Sequence, residues 1–245
     1  MQNLVKLSNK RLIRCGNSAE FYVYEHPFSY NHPPIVRSAH GTPSGQRRVD
    51  NARMTQLACQ RLIRANERQW GELAKFITYT FAKHVTDVVE ANRIWIEYAR
   101  LLREKYGKVR YVGVIEFQKS GRVHYHVLFF NLPWIADIKR KFQADWYSID
   151  ARNGFTKVIA LATVRDVALY VSKYMTKECA DPRLAGQKAY FSTRGLFRPI
   201  LNRDPILINR LRTRYTDDTV WQSLVREYVS ERWGTVSHTL FRAIT

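Results

Sequence analysis

Two runs of alternating apolar and polar residues, 109–117 and 122–130, stand either side of Lys119-Ser120-Gly121, and this spacing constrains the fold more than any other feature of the chain. β-Branched and aromatic residues at period two read as strands, and a three-residue connection ending in Gly predicts a hairpin whose Gly is left-handed. That loop pairs Gln118 with Arg122 and therefore Glu116 with His124. Opposed residues share a face, as do alternate residues of one strand, so Glu116, His124 and His126 converge. Ile115, Phe117, Val123, Tyr125, Val127 and Phe129 then face the other way, into a core.

One carboxylate and two imidazoles suit a divalent cation and leave positions open for water and a phosphate oxygen. Mn²⁺ or Mg²⁺ fits phosphodiester chemistry better than a tightly held zinc, because both are labile and tolerate octahedral oxygen ligands. The other histidines, His26, His32, His40, His84 and His238, have no comparable partner spacing.

The flanking segments supply the rest of a domain. Residues 75–81 (KFITYTF) read as a strand, and Asp87 with Glu90 makes a capping-box-like start for a helix running to Tyr106 and stopping at Gly107, with Val88, Ala91, Trp95, Tyr98 and Leu102 as its stripe. A helix over 133–147 turns Ile135, Ile138, Phe142 and Trp146 inward, and 154–159 is a further strand. The next helix, from about residue 163, buries Val164, Val167, Ala168, Val171 and Met175 and collects Tyr170, Lys173, Tyr174 and Lys177 on the opposite side. A phenol with a pKa of about 10 is a poor nucleophile at neutral pH, so an adjacent ammonium and a metal-activated phosphate are the help it needs.

Outside this stretch the pattern is weaker. A short strand is expected over 21–24, a loop over 29–45, and a helix over 51–70 with Met54, Ala58, Leu62 and Ala65 on one side and Arg53, Arg61, Arg64 and Arg68 on an adjoining arc. A last helix is expected near 218–229.

Forty Lys and Arg against 21 Asp and Glu give a net charge of +19, distributed along the whole chain, which points to a polyanionic partner and salt-dependent binding. Arg122, Lys177, Arg61, Arg64 and Arg194 are the basic side chains expected on DNA. Cys15, Cys59 and Cys179 offer neither a disulfide framework nor a zinc knuckle, and no apolar run has the length of a membrane span. The N-terminus, broken by Lys6, Lys10 and Arg11, does not read as a secretory signal, so a cytoplasmic protein with no membrane partner is expected. Gly41 to Arg47 lacks the lysine of a nucleotide-binding P-loop, so unwinding is expected to fall to another protein.

The order FITYTF, then GRVHYHV with Glu116 eight residues before the first His, then YVSKYMTK resembles the three motifs of the HUH endonuclease superfamily, specifically the two-tyrosine rolling-circle replication initiators of bacterial plasmids and phages. The resemblance covers about 75–177, and CGNSAEFYVYEHP, the RRVDNARM to LIRAN helix and AYFSTRGLFRP extend it more loosely. It implies an α+β fold, a central antiparallel sheet of ferredoxin/RRM-like connectivity with helical N- and C-terminal extensions, divided at 1–74, 75–180 and 181–245. It implies His124, His126 and Glu116 as metal ligands, Tyr170 and Tyr174 as nucleophiles, and Lys173 as their basic neighbour. The implied partners are single-stranded origin DNA and a host helicase and polymerase, in a bacterial cytoplasm; the oligomeric state stays open. A two-tyrosine transposase, a relaxase-like nickase and a non-catalytic single-strand binder are the alternatives.

Overall fold

A computed structural model describes residues 6–30, 45–71, 74–159, 161, 164, 166–175, 181–184 and 187–244, with side chains in the first helix described from residue 52 onward. Along the chain run β1 (Leu7–Cys15), β2 (Ser18–Ser29), α1 (Gly45–Asn66), β3 (Lys75–Phe81), α2 (Val88–Tyr106), β4 (Tyr111–Phe117), β5 (Val123–Phe129), α3 (Ile138–Ile149), β6 (Asn153–Ile159), α4 (Val167–Ser172), β7 (Tyr190–Ser192), β8 (Ile200–Asn202), α5 (Pro205–Arg212), β9 (Trp221–Ser230) and β10 (Gly234–Ala243). They form two compact units, Pro43–Phe197 and Met1–Thr42 with Arg198–Thr245. The division expected at 74/75 and 180/181 does not coincide with these units.

The Pro43–Phe197 unit is built on an antiparallel sheet in the order β6-β3-β5-β4-β7. Counted from β3, the β-α-β-β-α-β run places its four strands in the order 4-1-3-2, which is ferredoxin-like connectivity. Helix α2 starts where Asp87 accepts a hydrogen bond from the Val89 N–H at 2.8 Å and stops at Gly107, whose φ of 74° is left-handed. Its five expected apolar positions are all buried, together with Ile94. They meet Tyr79, Tyr125, Phe142 and Trp146 in an aromatic core in which each large side chain contributes about 2–3 kcal/mol by leaving water. The polar ends stay partnered: Trp146 Nε1 donates to the Thr80 carbonyl at 2.9 Å and Tyr125 Oη donates to Asn92 Oδ1 at 2.8 Å. Helix α3 begins at Ile138 rather than 133; Phe142 and Trp146 are buried, and Ile135 and Ile138 pack at the rim.

The opposite side of the sheet is reached by a much shorter helix. α4 has six residues, capped by Asp166 through the Leu169 N–H at 2.9 Å, and it continues as a single 3-10 turn over Lys173–Met175. A helix this short does not hold itself, so its position comes from tertiary contacts. α1 supplies them: Gln60 Nε2 donates to Ser172 Oγ at 2.8 Å, Gln56 Nε2 donates to the Ser172 carbonyl at 3.1 Å, and Arg64 pairs with Asp166 at 3.3 Å. α1 is accordingly rotated from the expected face. Cys59, Leu62 and Ile63 are buried at three-and-four spacing, Met54 is 56% exposed, and Arg64 points inward. The polar contacts to α4 decide the rotation, and apolar periodicity does not encode them.

The other unit is a second antiparallel sheet, β8-β1-β2-β10-β9, with α5 covering Leu12, Ala19 and Phe21 through Ile208 and Leu211. The terminal segments are therefore mainly strands, and the expectation of helical extensions is corrected. The helix expected near 218–229 is strand β9, paired with β10 at ten positions from Trp221↔Ala243 to Ser230↔Gly234. Its residues carry both periodicities weakly, and ten ladder partners outweigh local helix propensity. Most of the loop expected over 29–45 lies outside the described residues. Among the described residues no helix is long and apolar enough to cross a membrane.

Candidate metal and tyrosine site

The hairpin takes the expected register. The Gln118 N–H donates to the Arg122 carbonyl at 2.9 Å, Gly121 has φ 85°, and Glu116 lies opposite His124. On the far side of β5, His126 pairs with Thr78 of β3. One ligand atom from each of Glu116, His124 and His126 lies within 4.8 Å of the others. His124 and His126 are 7% and 5% exposed, so little water competes for them.

The electrostatics of this trio suit a cation. Hydrogen bonding to His126 holds the Glu116 carboxyl below the usual range against the opposing effect of burial, and the charges of His126, His124 and Lys173 add to it. Burial lowers the His124 imidazole to about 4, helped by His126 and Arg122 and opposed by Glu116, so at neutral pH it is an uncharged donor. His126 Nε2 lies 2.6 Å from Glu116 Oε2, and Nδ1 lies 3.0 Å from Thr78 Oγ1. An ionised Glu116 accepts from Nε2–H, which makes Nδ1 the acceptor for the Thr78 hydroxyl. Exchange of the Nε2 proton for a cation reverses the second bond, with Nδ1–H donating to Thr78, the outer partner that ligating histidines ordinarily have. The donor set therefore fits a divalent ion.

Both tyrosines reach this trio. Tyr174 stacks on the His126 ring with centroids 3.9 Å apart at 20°, and its hydroxyl donates to Tyr170 Oη at 3.4 Å. Tyr170 meets Phe76 edge-on at 5.5 Å. Lys173 Nζ stands 4.0 Å from the Tyr170 ring centroid and 5.0 Å from that of Tyr174. Burial raises the Tyr174 phenol well above its ordinary value, and the Tyr170 hydroxyl and the charges of Tyr170 and Glu116 add to the rise. The apolar stripe of α4, with Val167, Ala168, Val171 and Met175 buried, is the one expected, and the tyrosines are half-buried beside it.

The basic residues expected on DNA are placed differently from one another. Arg122 Nη1 donates to the Ala82 and Phe81 carbonyls at 3.2 and 3.4 Å, tying the hairpin to the segment after β3. Arg64 is buried on Asp166 and holds α4, so its guanidinium does not face solvent. Arg61 is partly buried on α1, Arg194 is exposed after β7, and Lys177 lies outside the described residues. The His126 partner Thr78 and the neighbour Phe76 escape sequence reasoning. Both sit in FITYTF, but only the β3–β5 register shows that they share the face of the histidines.

Residues 74–179 match a family of replication-associated proteins typified by ORF2. That span contains every candidate ligand and both tyrosines. A stretch of 54 residues is 44% identical to the Phasyl DNA replicon protein arp of Escherichia coli, covering 22% of this chain and 18% of that protein. The chain thus matches less than a fifth of that relative's length. No solved structure matches the chain.

Proposed function

We propose that this protein initiates rolling-circle replication by nicking and rejoining single-stranded DNA through a 5′-phosphotyrosine. The observation that carries the reading is the convergence of Glu116, His124 and His126 beneath a tyrosine stacked on His126. The similarity of residues 74–179 to a replication-associated family supports it. A divalent ion, Mn²⁺ or Mg²⁺, held by the three side chains would supply Lewis-acid polarisation of the scissile phosphate.

The residues then have distinct tasks. A tyrosine oxygen forms a bond to phosphorus as the bond to the 3′ oxygen breaks; the phenol proton leaves to solvent, and the departing oxygen takes one up as a free 3′-hydroxyl able to prime synthesis. Tyr170 is assigned the first attack, because Lys173 stands nearer to it and burial holds the Tyr174 proton tightly. Tyr174 serves the second transfer, when the displaced strand is closed. The phosphotyrosine ester conserves the energy of the cleaved bond, so rejoining needs no ATP. Origin DNA and a host helicase and polymerase are the partners of this reading.

The test is incubation of labelled single-stranded DNA with the protein and Mn²⁺, followed by a denaturing gel. A covalent protein–DNA band that disappears in Tyr170→Phe and persists in Tyr174→Phe is expected. Loss in Tyr174→Phe alone would reverse the order of the tyrosines. Tight binding with no covalent band across many sequences would replace the nuclease with a binding protein.

A further inference from the structure

The face of the sheet that carries the histidines continues past β3 to the edge strand β6, where Phe155 is 57% exposed. Its orientation has a specific cause. Tyr79 pairs with Thr156 and Phe81 with Asn153, so the two residues Gly154 and Phe155 oppose the single residue Thr80. This is a β-bulge, a device that re-aims a side chain at a sheet edge. Asn153 Nδ2 donates to the Trp146 carbonyl at 2.7 Å and the Thr156 N–H donates to Gln143 Oε1 at 2.6 Å, so both flanking residues are tied to α3 on the helix-covered face. Phe155 is left on the other face, with its carbonyl accepting from Thr80 Oγ1 at 2.9 Å. Gly154 makes the bulge possible, because a Cβ there would lie 2.5 Å from Thr80 Oγ1 and 2.8 Å from the Ala82 nitrogen.

The register then puts chemistry in rows across this face. Lys157, Thr78 and His126 lie in one row. Continuing the β3–β5 ladder by one residue puts Thr80 beside His124, so the next row runs Phe155, Thr80, His124, Glu116. Phe155 is two strands from the histidine strand, roughly 9.5 Å. An exposed aromatic ring beside an exposed lysine, in line with the candidate metal ligands of a chain of charge +19, has the composition of a single-strand platform, where a ring stacks a base and a cation meets the backbone.

We propose that Phe155 and Lys157 form a single-stranded nucleic-acid subsite in which Phe155 stacks an unpaired base and Lys157 contacts a phosphate, beside the Glu116–His124–His126 trio. The subsite rests on the proposed function for the identity of its ligand as DNA, but its test does not use cleavage. Affinity is measured by fluorescence anisotropy in the Tyr170→Phe background without added metal, using oligo(dT) of about 16 nucleotides, the upper footprint of a single-strand-binding fold, and an abasic strand of equal length. Phe155→Ala is expected to weaken oligo(dT) binding by about 5- to 150-fold, the range of one lost base stack, and to leave abasic-strand binding unchanged. Phe155→Trp is expected to retain both. Lys157→Ala is expected to weaken both strands alike and to lower the salt slope by about 0.7, one phosphate on a single strand.

Equal loss on both strands in Phe155→Ala, or no loss with an unchanged circular dichroism spectrum, would overturn the stacking role. If Phe155→Trp falls with Phe155→Ala, the position serves the fold and the subsite is likewise rejected. A subsite that passes while wild type forms no covalent DNA band keeps the platform and removes the nuclease. The converse keeps the nuclease and removes the platform.

Discussion

Helix α4 has six residues and holds both tyrosines of the site only because α1 fastens it, so the fastening predicts a local stability effect. Arg64→Ala removes the partner of Asp166 from a pair whose side chains are 9% and 12% exposed and 3.3 Å apart. Deleting one member of a buried ion pair costs about 3–5 kcal/mol when the remaining charge is stranded. Asp166 keeps its hydrogen bond from the Leu169 N–H and can admit some water, so the expected cost here is lower, about 2 kcal/mol. It should be felt locally, as opening of α4. In hydrogen exchange read by mass spectrometry, amides of 167–175 should exchange about 30-fold faster, while those of α2 keep their wild-type rates. Asp166→Asn retains a competent N-cap yet strands the guanidinium, and should accelerate the same amides. Arg64→Met combined with Asp166→Asn should recover most of the loss, because neither charge is then left alone. Unchanged exchange over 167–175, or equal acceleration over α2, would refute the view that this pair positions the tyrosines.

His124→Ala or His126→Ala should abolish nicking and reduce Mn²⁺ binding in calorimetry at least tenfold, yet leave most DNA affinity, because affinity comes from distributed Lys and Arg; equal loss of binding and nicking would contradict the division. Hydrogen bonds from Arg152 hold the Asp150 carboxyl below its usual range. Its stabilising effect is therefore fully present above the unfolded value of about 3.9 and is lost as pH falls through the lower folded value. Urea midpoints measured from pH 6 down to pH 2 should fall less steeply in Asp150→Asn; an identical slope would show that the Arg152 pair carries no linkage. Gly113→Ala should destabilise the Pro43–Phe197 unit by about 1–3 kcal/mol in urea, because its Cβ would lie 2.3 Å from the Phe191 ring. A shift below about half a kcal/mol would mean that Phe191 swings away freely.

What the sequence made legible depended on short-range rules. The Lys119-Ser120-Gly121 turn set the register, and the register put Glu116 opposite His124. The Asp87 and Gly107 caps delimited α2, and its apolar stripe matched the buried residues. Legibility failed where a long-range partner outvoted local preference. Residues 221–230 became a strand because β10 pairs with them throughout, and Arg64 turned inward because Asp166 lies across from α1. Phe155 gave no signal in sequence, since its exposure follows from a bulge against Thr80.

The chain by itself determined the residues able to ligate a cation, because side-chain alternation and a three-residue turn operate over a few bonds and need no other part of the molecule. It also determined that Tyr170, Lys173 and Tyr174 share one helical face. Tertiary structure alone decided that this face meets His126. A strand and a helix so far apart along the chain have no local reason to touch, and here sheet order and the polar contacts of α1 bring them together.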